Sequence, residues 1–399
     1  MCREGPAQET QPIGNLSVRF IKAVIYNVLI FLLLLEIGLF SAAKLNVLKM
    51  DLPSYSLANA RPFWEDRNPD FGVWHAPDRA YRHLKSCFNV TYRTNASGMR
   101  DARRDLHAAG PRVAVLGDSF IEGFGVASGD RLTDRLERIT HIPHLNFGTS
   151  GSFGLTQSWL LYKTFASKFD HDAVIISILP DNDFTDDDFE KGRKIHYNRY
   201  RPYLVGTYPD YALRYYDKDL NSTNVRMKIY LMAVERFFKE FSYTIRAYEY
   251  YKAYFWAMSA GRKTATGRNA SGWRVHSKYY DYTQAEFDRM RYAVEQIAAL
   301  AKPRPVLIMS IPRGSDYTRA NAESGPAPLT RQLRDLARAL GAAYVDLLEQ
   351  TRDTGDISQY FHSCDPHWNA AGHGMAAREL KDWGYYGKQP QQTASAVSR

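Results

Sequence analysis

A serine in the middle of the chain stands where it could act as a nucleophile. Residues 115–120 read Val-Leu-Gly-Asp-Ser-Phe, so Ser119 directly follows an apolar segment typical of a buried strand. A serine becomes nucleophilic only with a base in reach and with hydrogen-bond donors for the oxyanion that forms. Gly-Asp-Ser alone is a weak signal, so the other parts must be found elsewhere in the sequence.

Near the C-terminus, a carboxylate and an imidazole have a spacing that suits a catalytic base. Residues 364–368 read Cys-Asp-Pro-His-Trp. In an extended backbone, side chains two residues apart point the same way, so Asp365 can orient the ring of His367 and stabilise its protonated form. His362 and His373 are the alternatives. His362 lacks a carboxylate at short spacing and His373 is expected inside the last helix, so we predict His367.

Two further segments offer polar groups to the same site. Residues 146–151 read Asn-Phe-Gly-Thr-Ser-Gly, where glycine lets a backbone N–H approach a substrate closely, and residues 179–183 read Leu-Pro-Asp-Asn-Asp, with an amide donor at Asn182. Each segment follows a predicted strand, as Ser119 does. Because the carboxyl ends of parallel strands meet at one edge of a sheet, we expect both segments to lie at the same edge as Ser119. Asp118 and Asp183 are interpreted as residues that hold these loops through turn hydrogen bonds.

These four segments, in this order, resemble the sequence blocks of the SGNH or GDSL-type serine hydrolase family. The resemblance covers about residues 113–377, apart from an insertion. It implies a flavodoxin-like three-layer α/β/α fold. It also implies a catalytic triad of Ser119, His367 and Asp365. The implied oxyanion hole consists of the N–H groups of Ser119 and Gly151 and the side chain of Asn182.

One departure from the family pattern narrows the implied activity. Family members usually carry Asp-x-x-His, whereas residues 365–368 read Asp-Pro-His-Trp, which is similar to the Asp-x-His-Trp of alginate O-acetyltransferase-like proteins. Those proteins transfer acetyl groups on exported polysaccharides. The resemblance therefore implies a serine esterase or O-acyltransferase that acts on acyl esters, above all acetyl esters, of an extracytoplasmic carbohydrate or surface polymer.

Two other classes of function remain as alternatives. The first is a catalytically silent binding or assembly protein of a polysaccharide export system, which the intact serine, glycine, asparagine and histidine disfavour. The second is a lipase or thioesterase, for which an apolar lid would be expected. We expect no cofactor, no metal and no nucleic-acid partner; the expected partners are an acylated carbohydrate or polymer substrate, a membrane, and proteins of a polysaccharide pathway.

The elements that must position these residues follow the rhythm of a doubly wound sheet. We predict strands at 112–116, 144–147, 173–179, 305–311 and 343–347, and helices at 132–139, 155–169, 286–301, 329–340 and 370–383. They indicate one α/β domain over 111–385. The lead-in segment 44–110 reads as strand-poor, with one strand at 88–93, and 386–399 reads as a disordered tail.

The insertion at 186–283 differs in composition from the rest of the chain. It holds 23 aromatic residues in 98, and its 18 basic and 11 acidic residues supply +7 of the net charge of +9. Residues 203–216 predict a hairpin that turns at Pro209-Asp210. An apolar stripe at spacings of three and four predicts one helix over 227–248 and favours core packing. Alternatively, its aromatic residues stack on sugars or lie at a membrane interface.

The N-terminus predicts a single membrane anchor. After a tail at 1–22, residues 23–43 form an apolar run of 21 residues, interrupted only by Asn27, Glu36 and Ser41, that just spans a bilayer core of about 30 Å as a helix. A cleaved signal peptide is the alternative. Basic residues flank the run equally, so we take a cytoplasmic-membrane protein with its catalytic domain outside as the default. We interpret Glu36 as reaching toward the interface rather than binding a partner.

Overall composition and cysteine usage set outer limits. The 399 residues are 45% apolar and 24% charged, which excludes a disordered or multi-span membrane protein. The basic excess is local rather than spread over the chain, which argues against nucleic-acid binding. It fits one cationic face near an anionic lipid headgroup or acidic sugar, or equally a solvated charged face without a partner. Cys2, Cys87 and Cys364 show no metal-ligand spacing. Cys87 and Cys364 either pair in an oxidising compartment or remain free.

Overall fold

The computed structural model describes residues 13–45, 47–196, 199–216, 223–264 and 275–388. The strands are β1 Trp64–Asn68, β2 Gly72–His75, β3 Ala80–Lys85, β4 Phe88–Arg93, β5 Val113–Gly117, β6 His144–Gly148, β7 Ala173–Ile178, β8 Arg201–Thr207, β9 Asp210–Tyr216, β10 Val306–Ser310, β11 Ala343–Asp346, β12 Phe361–His362 and β13 Asp365–Trp368. The α-helices are α1 Ile13–Lys44, α2 Ser119–Glu122, α3 Leu132–Thr140, α4 Leu155–Thr164, α5 Pro180–Asp186, α6 Phe189–Ile195, α7 Thr223–Lys239, α8 Tyr243–Thr264, α9 Gln284–Ala301, α10 Gly314–Asn321, α11 Pro328–Leu340, α12 Leu347–Thr351 and α13 Ala370–Leu380.

A parallel sheet of five strands organises the molecule. Its order is β11-β10-β7-β5-β6, and all four neighbouring pairs are parallel. Numbered along the chain, this is the 2-1-3-4-5 order of flavodoxin-like sheets. The predicted fold class is confirmed, and each of the ten predicted sheet and helix elements is present. The second helix ends earlier than predicted, at Thr164, and a short 3-10 turn at Ala166–Lys168 follows it.

The sheet is buried on both faces, as its continuous apolar strands require. Alternate residues of β5 point to opposite sides: Ala114 and Leu116 join the cluster packed against α4, α9 and α11, while Val113 and Val115 join the cluster packed against α3 and α13. Because successive side chains of a strand point to opposite faces, this fully buried strand contributes to a hydrophobic core on each side of the sheet. The result is a three-layer α/β/α sandwich.

The lead-in segment contains more strand than its sequence suggests. β1 and β2 form one antiparallel hairpin, and β3 and β4 form another. The predicted strand at 88–93 is confirmed as β4, but the prediction of a strand-poor segment is wrong. These strands are short, and β2 packs Val73 and Trp74 into a core cluster of the α/β sandwich rather than into a core of its own.

Within its described residues, the insertion contains α6, the hairpin β8–β9 and the helix pair α7–α8. The predicted hairpin is confirmed, but its turn lies at Tyr208-Pro209, one residue earlier than predicted, because Asp210 already pairs with Thr207. The single helix predicted over 227–248 is wrong, because the chain breaks between Lys239 and Tyr243. Buried Glu240 lies in this break, where its carboxylate accepts hydrogen bonds from Ser54 and from Arg246.

The interpretation of the insertion's aromatic and apolar residues as core packing holds for the hairpin, for Tyr243 on α8 and for Tyr279 before α9. Tyr203 and Leu204 are buried in β8. On α7, by contrast, the apolar stripe is exposed, with Met227, Leu231 and Phe238 each more than half accessible. For that helix the packing interpretation is wrong.

The N-terminal helix α1 is longer than the predicted span of 23–43. Among the described residues, Val18–Lys44 is the one helical segment long and apolar enough to cross a membrane. The interpretation of Glu36 as a group without a partner is wrong, since its carboxylate accepts hydrogen bonds from the first turn of α8.

The described residues extend past the predicted start of the C-terminal tail. Tyr386–Lys388 form a 3-10 turn, and the hydroxyl of Tyr386 hydrogen bonds to Nε2 of His144 at 2.8 Å. Disorder from residue 386 is therefore wrong for these three residues. The rest of the predicted tail, 389–399, and residues 1–12 of the predicted N-terminal tail lie outside the described residues.

Candidate active site

Three of the predicted side chains form a continuous hydrogen-bonded chain. Oγ of Ser119 lies 2.8 Å from Nε2 of His367, and Nδ1 of His367 lies 2.5 Å from Oδ1 of Asp365. The backbone N–H of His367 donates to the same carboxylate oxygen, at 3.0 Å. An imidazole held in this way carries its proton on Nδ1 and leaves Nε2 free to accept the serine proton.

Local structure explains why these side chains meet. Ser119 is the first residue of α2, directly after β5, and the carboxylate of Asp118 caps this short helix by accepting from the N–H of Phe120 at 2.9 Å. Asp365 and His367 lie two residues apart in β13, so their side chains share a side of the strand, as predicted. Burial raises the pKa of Asp118 to about 6, although the Phe120 N–H partly offsets this.

Two phenylalanines enclose the imidazole. The ring of Phe124 stacks on His367 with centroids 4.2 Å apart, and Phe120 lies 5.0 Å away. Burial lowers the pKa of His367 below its ordinary value, although the hydrogen bond and charge of Asp365 act in the opposite direction. His367 is therefore neutral, and able to accept a proton, at neutral pH.

The carboxylate of Asp365 is shared between the imidazole and a lysine from the lead-in segment. Nζ of Lys85 lies 2.5 Å from Oδ2 of Asp365 and 3.2 Å from Oδ1 of Asp51. Burial alone would raise the pKa of Asp365, but His367 and Lys85 outweigh it and hold that pKa well below the usual range. Asp365 is therefore ionised whenever His367 is neutral.

A disulfide joins the same two segments. Cys87, two residues after Lys85, pairs with Cys364, and their Cα atoms lie 5.7 Å apart. The paired alternative from the sequence is confirmed. The bridge and the Lys85 ion pair together attach hairpin β3–β4 to the strand that carries Asp365 and His367.

Each candidate oxyanion donor follows a strand that neighbours β5, the strand before Ser119. Gly151 follows β6 and Asn182 lies in the first turn of α5 after β7, the two strands on either side of β5. Gly151 has a φ of +97°, in the left-handed region, and a Cβ there would press on Val73, so glycine suits this position twice over. Nη2 of Arg313 donates to Oδ1 of Asn182 at 3.0 Å.

A buried carboxylate holds the loop that carries Gly151. Glu122, three residues after Ser119, accepts hydrogen bonds from the backbone N–H of Ser150 at 2.6 Å and from Nε1 of Trp64 at 3.0 Å. His75 contributes Nε2 at 3.2 Å. Burial would raise the pKa of Glu122, but His75, Arg100 and Ser150 lower it to about 2. Through its hydrogen bond to Ser150, Glu122 thus positions the backbone next to Gly151.

The alternative histidines do not reach Ser119. His373 lies inside α13, as predicted, and its Nδ1 accepts the N–H of Leu132 at 3.2 Å. His362 packs against Phe88, with centroids 4.8 Å apart. Asp183 accepts from the N–H of Leu179 at 2.7 Å, so its predicted role in holding a loop is confirmed.

Lys85, Phe124, Glu122 and Arg313 were not singled out from the sequence. Arg313 offered a signal, because it closely follows β10 at the same carboxyl edge as Ser119. Lys85 offered another, since a Cys87–Cys364 pair brings it next to Asp365. Within the described residues, no group of three or more His, Cys, Asp or Glu side chains is arranged to hold a metal ion.

Comparison with known proteins yields structural neighbours of low identity. No protein-family model and no curated protein sequence matches the chain. A lipase/acylhydrolase from Enterococcus faecalis is similar at 12% identity over 71% of this chain and 100% of its own, with a TM-score of 0.37. A member of the lipolytic G-D-S-L family from Veillonella parvula is 11% identical over 67% of this chain and 95% of its own, with a TM-score of 0.34.

A third structural neighbour is named as a carbohydrate esterase. It is a carbohydrate esterase family 2 enzyme with a carbohydrate binding domain from Myceliophthora fergusii, 14% identical over 70% of this chain and 67% of its own, with a TM-score of 0.32. These neighbours include proteins of the G-D-S-L type that the four sequence blocks resemble. For this chain, the likeness to that type rests on its blocks and its strand order.

Proposed function

We propose that the chain is an SGNH-type serine esterase or O-acyltransferase, anchored by α1, that acts on acyl esters of an extracytoplasmic carbohydrate or surface polymer. One observation carries the catalytic part of the proposal: Ser119, His367 and Asp365 are linked by hydrogen bonds of 2.8 and 2.5 Å at the carboxyl edge of the sheet. Such a chain is the arrangement by which a serine hydroxyl becomes a nucleophile.

The reaction proceeds in two halves. Oγ of Ser119 bonds to the acyl carbonyl carbon while Nε2 of His367 takes the hydroxyl proton. The N–H groups of Ser119 and Gly151 and the amide of Asn182 stabilise the oxyanion. The ester C–O bond then breaks, and the imidazolium gives its proton to the departing alcohol. In the second half, water or a sugar hydroxyl attacks the acyl-serine, His367 takes its proton, and Ser119 recovers that proton as the acyl–Oγ bond breaks.

Two features support a carbohydrate ester and an extracytoplasmic location. The Asp-x-His-Trp spacing at 365–368 is similar to that of alginate O-acetyltransferase-like proteins. The Cys87–Cys364 bridge suits an oxidising compartment, which a single span with its bulk outside the cytoplasmic membrane provides.

A covalent probe tests the nucleophile. A fluorophosphonate should add one label to the full chain, seen by intact mass, and the label should disappear in Ser119→Ala. Ser152→Ala, in the loop after Gly151, is the matched control and should keep it. Persistent labelling of Ser119→Ala would contradict the assignment.

A second assay separates hydrolysis from transfer. The detergent-solubilised chain is given p-nitrophenyl acetate with and without an oligosaccharide acceptor. Acetylated sugar as the main product supports a transferase, and free acetate in both cases supports an esterase. Neither product, with a Ser119 that still takes the probe, would contradict the proposed acetyl ester chemistry.

A further inference from the structure

Helix α7 exposes a continuous apolar face. The α7 stripe is Met227, Tyr230, Leu231, Phe237 and Phe238, with exposed fractions from 42% for Phe237 to 65% for Tyr230. Spacings of three, four and seven place these side chains on one side of the helix. Soluble proteins rarely leave such a face open to water.

The helix that follows is clamped to the candidate membrane helix. The carboxylate of Glu36 on α1 accepts the backbone N–H groups of Tyr243 and Thr244 and the hydroxyls of Ser242 and Thr244. The rings of Phe40 and Tyr243 pack edge to face, with centroids 5.4 Å apart. The first turn of α8 therefore lies against α1.

The position of the clamp along α1 sets its depth. Glu36 precedes Lys44 by eight residues, or about 12 Å along a helix axis. If Lys22 and Lys44 mark the two ends of the span, the intervening length is about 33 Å, close to a hydrocarbon core of about 30 Å, and Glu36 lies inside it. Polar groups at that depth must satisfy one another, and the hydrogen bonds to Glu36 do so.

We propose that α7 and α8 form a second membrane contact, with the α7 stripe embedded in the lipid leaflet where α1 ends. The inference rests on the membrane anchoring in the proposed function. We assign the bilayer as the partner of the α7 stripe because α7 leads into α8, and the first turn of α8 is held by Glu36 against the candidate span α1. Residues 223–252 also carry six Lys and Arg against three Glu, which suits anionic headgroups.

The docked helices hold the candidate active site near the lipid surface. Nη1 of Arg246, on α8, lies 3.7 Å from Oδ2 of Asp51, and Asp51 contacts Lys85, which binds Asp365. A chain of charged side chains thus leads from the first turns of α8 to the triad. Ester substrates would be met at the membrane surface rather than in bulk solution.

Depth-dependent quenching tests the inference on the full chain. In a Cys2→Ser background, single cysteines are introduced as Leu231→Cys, Phe238→Cys, Phe31→Cys and Arg338→Cys and labelled with the environment-sensitive dye NBD. Phe31 is an exposed residue of α1, and Arg338 is an exposed residue of α11. The proteins are placed in nanodiscs of phosphatidylethanolamine and phosphatidylglycerol, with and without lipids that carry a nitroxide on the acyl chain.

The four positions separate this inference from the proposed anchor. Labels at 231, 238 and 31 should shift to the blue and lose most of their emission to the nitroxide, while the label at 338 should do neither. Quenching at 31 without quenching at 231 and 238 overturns the docking but leaves the anchor in place. No quenching at 31 overturns both. A blue shift at 231 and 238 without quenching means that protein covers the stripe, and also overturns the docking.

A variant of Glu36 adds a second test to the quenching experiment. Glu36→Ala removes the acceptor of the bonds from Ser242, Tyr243 and Thr244, so quenching at 238 should fall while quenching at 31 stays. Unchanged quenching at 238 would contradict the role given to Glu36.

Discussion

At the scale of single residues, the candidate site depends on charges that face Asp365 and Asn182. Lys85 and His367 bind opposite oxygens of the Asp365 carboxylate. Lys85 therefore holds the carboxylate in place and, as a nearby positive charge, disfavours protonation of the imidazole. Arg313 acts on the other side of Ser119, where its guanidinium can only donate, so that the oxygen of Asn182 must face it and the NH₂ group is left for an oxyanion.

Lys85→Met should move the acid limb of the pH–rate profile to higher pH. His367 must be neutral to accept a proton, so the rate falls as the pH drops through the His367 pKa, which burial holds below its ordinary value. Removing the neighbouring cation should raise that pKa, because the charge of Lys85 opposes protonation of the imidazole. The measurement is kcat/KM for p-nitrophenyl acetate across the acid range. Lys302→Met, at an exposed position before β10, is the control, and equal profiles for both variants would exclude the effect.

Arg313→Met should lower kcat about tenfold and leave KM nearly unchanged. The loss is smaller than the roughly hundredfold or greater cost of deleting an oxyanion donor, because Asn182 stays but loses its orientation. Arg313→Lys keeps a donor and should recover part of kcat. A rise in KM at constant kcat would instead assign Arg313 to substrate binding.

At the scale of elements, the lead-in hairpins support the strand that carries Asp365 and His367. β3 and β4 contribute Lys85, the Cys87 bridge and Tyr92, whose hydroxyl accepts the N–H of Gly125 at 2.6 Å. Trp64 and His75, from the other hairpin, bind Glu122 below the serine. A segment outside the α/β sandwich thus contacts both the loop after Ser119 and the strand that holds Asp365.

Removing the Cys87–Cys364 bridge should lower the stability of the chain, because hairpin β3–β4 loses its covalent link to the strand that carries Asp365. Cys87→Ser with Cys364→Ser should lower the free energy of unfolding by about 2–4 kcal/mol, since the unfolded chain loses a crosslink. Denaturant unfolding of the detergent-solubilised chain measures the change. In a Cys2→Ser background, thiol counting on unfolded protein should find no free thiol. Reductant should destabilise the parent and not the double variant; two free thiols in the parent would contradict the bridge.

At the scale of the whole molecule, the proposed arrangement places the sandwich against the membrane that α1 crosses. The disulfide favours the oxidising side of that membrane. The net charge of +9 is concentrated in the insertion, which also contains the α7 stripe. The same segment of the chain therefore combines positive charge and aromatic side chains, and its helix α8 contacts the candidate span.

An alkaline phosphatase fused after Arg399 should be active in intact cells, because that enzyme needs an oxidising compartment to form its own disulfides. A β-galactosidase fused at the same point is the reciprocal control and should be inactive. The opposite pattern, with both fusions expressed, would reverse the orientation.

The local patterns of the sequence were sufficient to predict the sheet, its helices and the spacing of the Asp365–His367 pair. Strand and helix periodicity, and the two-residue spacing within β13, depend only on neighbours along the chain. The membrane-spanning length of α1 is a pattern of the same kind. These features need no knowledge of which distant segments meet.

Tertiary structure alone decided the rest. Lys85 and Asp365 are 280 residues apart, Trp64 and Glu122 are 58 apart, and Glu36 and Thr244 are 208 apart. No local pattern encodes such pairs, because each depends on how complete elements pack. The same holds for α7: its stripe has the spacing of a core-facing helix, and only the packing of complete elements leaves that face exposed. Periodicity states that a face is apolar, whereas packing decides what covers it.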